Sequence, residues 1–251
     1  MKRSLSSLLV LATLACSAGE SPEAAHDTDA SGRPGAADVV ASDSTMVVAT
    51  QAMVPSDGRP VVVFLGTSLT AGMGLEREAD SYVSVLEQMA DSAGKPFHAV
   101  NAGVSGDTSA GGLRRLDWLL RTKMDVLVVE LGANDGLRGQ DPQAMADNLT
   151  QIIGRTREAY PDARFVVAGM EAPPNMGDRY TAAFRAVFPD VARAQGAALI
   201  PFLLDGVAGV PELNQDDRIH PTPEGHRRVA ETVWRVLESV LDEVGAGRSR
   251  P

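Results

Sequence analysis

Residues 61–70 read Val61-Val62-Val63-Phe64-Leu65-Gly66-Thr67-Ser68-Leu69-Thr70: five apolar positions, then a glycine and a cluster of hydroxyls. An apolar run of this length without polar alternation is the pattern of a strand buried on both faces, as in a parallel sheet. Such a strand delivers Ser68 to the open carboxyl end of the sheet, where α/β proteins gather ligands and catalytic groups. Ser68 is therefore a nucleophile candidate, although most Gly-x-Ser turns are structural.

The same pattern recurs outward from this stretch. Short apolar runs occupy residues 61–65, 98–101, 126–131, 164–170 and 197–202. Helical periods fill the intervals at residues 81–92, 112–122, 142–159 and 179–195, and a last helix covers about 223–244. Thr222 can cap that helix, with Pro223 at its first position, where a missing N–H costs nothing. Strands alternating with helices imply right-handed crossovers and a sheet covered on both faces. The expected fold is a three-layer α/β/α domain over residues 59–245, flavodoxin-like, with a five-stranded parallel sheet.

The chain has 251 residues, 44% of them hydrophobic, which suffices for one substantial core. Its formal net charge of −10 would repel a phosphate backbone and argues against a nucleic-acid partner. Lys2 and Arg3 followed by a short apolar stretch at 5–14 read as an export signal, since a membrane span needs roughly 20 apolar residues. The chain's single cysteine, Cys16, stands where that signal ends, so no internal disulfide can form. Thr13-Leu14-Ala15-Cys16 resembles a bacterial lipoprotein signal, with Thr13 in place of the usual leucine. That resemblance implies lipidation of Cys16 and a periplasmic or cell-envelope location on a membrane surface. Residues 17–58, rich in Ala, Ser, Asp, Gly and Pro, read as a disordered tether, and 246–251 as a disordered tail.

Four loops carry distinctive polar groups. Beyond Gly66-Thr67-Ser68-Leu69, the second is Asn101-Ala102-Gly103-Val104-Ser105-Gly106-Asp107-Thr108-Ser109, where glycines let the backbone approach a ligand. The third is Leu131-Gly132-Ala133-Asn134-Asp135-Gly136, whose Asn134 side chain can donate to a developing oxyanion. The fourth is Asp217-Arg218-Ile219-His220-Pro221, in which a carboxylate three residues before a histidine can hold one ring nitrogen and leave the other for Ser68. Asp216 is a rival orienter, four residues from His220. Taken singly, each of these loops is also ordinary turn chemistry. His226 reads as a surface or packing residue within the last helix, and His98 as a core or edge histidine. No phosphate-binding glycine loop and no paired histidine metal motif occur, so neither a cofactor nor a metal is expected.

Ser, Gly, Asn and Asp-His appear in that order, each at an expected strand end or before the last helix. This resembles the SGNH hydrolase (GDSL esterase/lipase) superfamily over residues 61 to about 241. The resemblance is strongest toward the bacterial multifunctional thioesterase, lysophospholipase and arylesterase branch. It is carried by Val104-Ser105-Gly106-Asp107-Thr108-Ser109, by residues 129–139 around Gly132-Ala133-Asn134-Asp135-Gly136-Leu137, and by Gln215-Asp216-Asp217-Arg218-Ile219-His220-Pro221. It implies Ser68 as nucleophile, His220 as general base and acid, Asp217 as its orienter, and an oxyanion hole from the N–H groups of Ser68 and Gly106 with the Asn134 side chain. It also implies an acyl pocket bordered by Asp135, Gly136 and Leu137 and by Ala172, Pro173 and Pro174. The implied substrates are acyl esters, thioesters or lysophospholipids, hydrolysed by a serine esterase of arylesterase, acyl-CoA thioesterase or lysophospholipase type. Alternatives are a carbohydrate O-acetylesterase of the same superfamily and a non-catalytic envelope binding lipoprotein. The name-giving Gly-Asp-Ser-Leu appears here with Thr67 for its aspartate, which is expected to tune local structure rather than abolish catalysis.

Overall fold

A computed structural model describes residues 57–248. The expected signal peptide, Cys16 and nearly all of the tether lie outside the described residues. In chain order the elements are β1 (Val61–Gly66), α1 (Ser68–Ala71), α2 (Tyr82–Ser92), β2 (His98–Gly103), α3 (Ser109–Arg114), α4 (Leu116–Leu119), β3 (Val126–Glu130), α5 (Ala133–Leu137), α6 (Pro142–Ala159), β4 (Arg164–Ala168), α7 (Asp178–Gln195), β5 (Ala198–Ile200) and α8 (Pro223–Arg248). The five strands form one sheet in the order β2-β1-β3-β4-β5, and every neighbouring pair is parallel. This is the expected doubly wound arrangement, with β1 at the position where the winding reverses.

The unbroken apolar runs have their physical reason in this topology. β1 and β3 are central and buried along their whole length, so neither tolerates polar alternation. Phe64 in β1 lies edge-on to Tyr82 of α2 and tilted against Phe97. On the helical layers α2 packs against α8, while α3, α6 and α7 pack together. α8 enters as the sequence predicts: the Thr222 hydroxyl accepts the Gly225 N–H at 3.2 Å, with Pro223 at the first helical position.

Two boundaries differ from expectation. The single helix at 112–122 is two short ones broken at Arg115; Thr108 caps the first by accepting the Gly111 N–H, so it begins at Ser109. At the other end α8 runs to Arg248, past the expected helix end near 244, and Arg248 pairs with Asp125 at 2.7 Å just before β3.

Candidate active site

β1 ends at Gly66, and the chain turns at once into the four-residue helix α1, which places Ser68 at the carboxyl end of the central strand. A β-carbon on Gly66 would lie 2.0 Å from the Thr70 hydroxyl and 2.6 Å from Glu130 Oε2, so the turn admits no side chain there. The Ser68 hydroxyl is 2.9 Å from His220 Nε2. His220 Nδ1 is in turn 2.6 Å from Asp217 Oδ2. Asp217 Oδ1 also accepts the N–H groups of Ile219 at 2.9 Å and of His220 at 3.0 Å. These bonds to the His220 ring and backbone hold the Asp217 carboxyl well below its ordinary range, down to about 2. An ionised Asp217 needs a donor, so the proton of neutral His220 sits on Nδ1 and Nε2 accepts from Ser68.

The loop carrying this pair is itself fixed. Gln215 N–H donates to the His220 carbonyl at 2.8 Å, and Arg218 N–H donates to the Gln215 carbonyl at 2.8 Å. Arg218 sits at φ +60°, the left-handed region that a non-glycine residue occupies at some cost. The Gln215 amide reaches the Met73 carbonyl at 2.8 Å and the Pro221 carbonyl at 2.9 Å, joining the histidine loop to the segment after α1.

Two further loops converge on Ser68 from either side. Gly106, beyond β2, has φ +80°, which orients its backbone in a way few side chains allow. Asn134 opens α5 beyond β3, and its amide donates to the Asp107 carbonyl at 2.8 Å, which leaves one amide hydrogen for another acceptor. The N–H groups of Ser68 and Gly106 make no hydrogen bond among the described residues. Arg115 locks the Gly106 loop to β1, donating to Asp107 Oδ2 at 2.7 Å and to the Gly66 carbonyl at 3.0 Å.

A cavity of about 380 Å³ opens at Ser68, lined by Met73, Leu137, Met170, Leu204 and Ile219 besides Gly106, Asn134 and His220. Its wall is largely apolar, which suits a hydrocarbon chain. Of the pocket residues expected from the sequence, Leu137 alone lines this cavity. Asp135 is buried and accepts the Ser109 N–H at 2.8 Å and hydroxyl at 2.6 Å, so it braces the loops instead of facing substrate. Gly136 is packed under Phe184 and the Ala172 backbone. Ala172 is buried, and Pro173 and Pro174 lead into a 3-10 turn outside the cavity lining. The lining on that side comes from Met170, which the apolar run at 164–170 presents only as core, and from Leu204, just past the run at 197–202.

The other two histidines among the described residues, His98 and His226, are not at the site. His98, on edge strand β2, has Nε2 2.8 Å from Asp57. His226 is a packing residue: its ring stacks on Tyr82 at 6.2 Å and Nδ1 accepts the Tyr82 N–H at 3.2 Å. Among the described residues no cluster of potential metal ligands occurs.

Sequence reasoning missed Glu130. It is the one charged residue in the buried strand β3, and it meets the turn that bears Ser68. A lone carboxylate inside an apolar run was the available signal.

The same fold and sequence pattern occur in known proteins. A family profile described as "GDSL-like Lipase/Acylhydrolase family" matches residues 64–228. The chain is 40% identical over 181 residues to "Esterase TesA" of Pseudomonas aeruginosa, covering 72% of this chain and 89% of that protein. It is 35% identical over 182 residues to "Thioesterase 1/protease 1/lysophospholipase L1" of Escherichia coli strain K12, covering 72% and 85%. A solved crystal structure of TesA superimposes with a TM-score of 0.68 at 39% identity, covering 72% of this chain and 99% of that one.

Proposed function

Since the chain belongs to the GDSL-like lipase/acylhydrolase family and is a carboxylic ester hydrolase, we propose that Ser68 is its nucleophile and that Ser68, His220 and Asp217 act as a catalytic triad. The single observation that carries this reading is the continuous hydrogen-bonded line from Ser68 Oγ to His220 Nε2 and from His220 Nδ1 to Asp217. A serine hydroxyl is hardly ionised at neutral pH, so it needs a base that removes its proton as it attacks.

In this mechanism Ser68 Oγ forms a bond to the acyl carbonyl carbon while His220 Nε2 takes the hydroxyl proton. Asp217 holds the ring in the required tautomer and offsets the positive charge that develops on it. The oxyanion receives the N–H groups of Ser68 and Gly106 and the spare hydrogen of the Asn134 amide. Collapse of the tetrahedral intermediate breaks the bond to the leaving oxygen or sulfur, which departs with the proton from His220. Water then repeats the sequence on the acyl-enzyme, with His220 again as base.

The apolar cavity favours acyl esters, thioesters or lysophospholipids over acetylated sugars, whose hydroxyls would find few partners on that wall. Ser68→Ala is expected to abolish p-nitrophenyl acetate hydrolysis and labelling by a fluorophosphonate while the protein stays folded by circular dichroism. Retained turnover or labelling would overturn the reading. We also propose export and lipid anchoring through Cys16, tested by palmitate labelling that Cys16→Ala should abolish.

A further inference from the structure

Glu130 is fully buried at the end of β3, paired in register with Gly66 of β1. An isolated carboxylate in such a position is costly unless hydrogen bonds compensate it. Here the donors all come from the Ser68 turn. Oε2 accepts the Thr67 N–H at 2.8 Å, the Thr70 hydroxyl at 2.8 Å and the Thr70 N–H at 3.3 Å. The Thr67 hydroxyl lies 3.0 Å from Oε1 and 3.1 Å from Oε2. Thr70 has one hydroxyl proton and gives it to Glu130, so the Tyr82 hydroxyl, 2.7 Å away, donates to Thr70.

From Thr67 to Thr70 the backbone presents four N–H groups. Glu130 takes those of Thr67 and Thr70, and the Thr67 hydroxyl accepts that of Leu69 at 3.5 Å. The N–H of Ser68 alone is uncommitted. A turn of this shape with all four groups free would have several ways to relax toward water or substrate. With two of them tied to Glu130 on one rigid strand and the third to the Thr67 side chain that Glu130 holds, the turn keeps the Ser68 backbone in a single orientation.

We propose that Glu130, acting through Thr67 and Thr70, is a positioning residue that fixes the Ser68 turn and reserves the Ser68 N–H as an oxyanion donor. The inference rests on Ser68 being the nucleophile. It also explains what Thr67 contributes. The Thr67 hydroxyl supplies Glu130 with a proton donor that a second carboxylate at this position would have to be protonated to match. Burial pushes the Glu130 carboxyl above its usual range against the pull of these bonds. What the turn requires of Glu130 is an acceptor at Oε2, which a glutamine also provides.

The test compares Glu130→Gln, Glu130→Leu, Thr67→Ser and Thr67→Val in the full chain, with kcat, KM, thermal midpoint and the Ki of a trifluoromethyl ketone. Losing one correctly aimed oxyanion donor lowers kcat by about 100-fold or more. Glu130→Leu is expected to show a loss of that order with KM changed less than about threefold, and Ki should rise in parallel. Glu130→Gln should recover most of the activity because it retains an acceptor. Thr67→Ser should match the wild type, and Thr67→Val should fall by about tenfold, on the scale of one hydrogen bond. A folded Glu130→Leu with wild-type kcat and Ki overturns the proposal. If Glu130→Leu does not fold, wild-type kcat in Thr67→Val overturns it. Loss in Glu130→Gln equal to that in Glu130→Leu also overturns it. Failure of the nucleophile assignment is separate and shows as wild-type enzyme unlabelled at Ser68.

Discussion

Asp135 Oδ1 accepts the Ser109 hydroxyl at 2.6 Å, and the same hydroxyl accepts the Asn148 amide at 3.0 Å. This buried chain bolts the start of α3 to α5 and α6, directly behind Asn134. Asp135→Ala removes the acceptor and leaves the Ser109 N–H unsatisfied, at a cost of about 2–3 kcal/mol. Urea denaturation should show that loss. Activity should fall as well, because Asn134 then loses its fixed backbone.

Asn134→Ala tests the amide itself. One oxyanion donor contributes on the order of 3 kcal/mol, so kcat should fall about 100- to 1000-fold. KM for a short aryl ester should change little, since the donor acts on the transition state more than on bound substrate. Steady-state kinetics on p-nitrophenyl esters would detect the split.

Asp217→Asn should lower kcat by about 100- to 10,000-fold, because the amide no longer fixes the His220 tautomer. The stability effect of Asp217 has a defined sign. Its folded pKa lies below the ordinary carboxylate value, so its contribution is present above about pH 4 and is lost as pH falls toward about 2. With 44% of its side chain exposed, solvent weakens that contribution. Thermal midpoints of wild type and Asp217→Asn should converge across this window.

His226 gives a second pH signature. Burial holds its pKa down to about 4, with the nearby His220 acting in the same direction. The unfolded chain binds the proton first as pH falls, so His226 stabilises fully above about pH 6.5. That contribution is lost between there and about pH 4, on the order of 3 kcal/mol in total. His226→Asn keeps an acceptor for the Tyr82 N–H and should flatten this slope. Urea midpoints at pH 7.5 and pH 4.5 would measure it.

The sheet and the Asp217–His220 pair were legible because both rest on local signals, whereas Ser68, 152 residues from His220, was joined to them by the order of the four loops and the family resemblance. Central strands such as Val61–Gly66 must be apolar throughout, and a carboxylate three residues before His220 meets it within one turn. The cavity wall was less legible. Met170 looks like a core residue and Leu204 lies past the last expected strand, and both reach the cavity from the turns after β4 and β5. Asp135 looks like a pocket residue because it follows Asn134, yet one step along a short helix rotates it into the interior. Glu130 was visible as an oddity in an apolar run, but its partners lie 60 and 63 residues away in sequence.

The placement of β1 between β2 and β3 has a consequence for how this enzyme can change. Gly106 follows β2, Asn134 follows β3, and the two arrive at Ser68 from opposite flanks of the sheet. The two flanks are also tied to each other, Asn134 to the Asp107 carbonyl and Asp135 to Ser109. An insertion after β3 that displaced Asn134 or Asp135 would therefore disturb both banks of the cleft at once. Substrate range can drift instead at wall residues outside these ties, such as Leu137 and Met170, and the nucleophile between the banks need never be rebuilt.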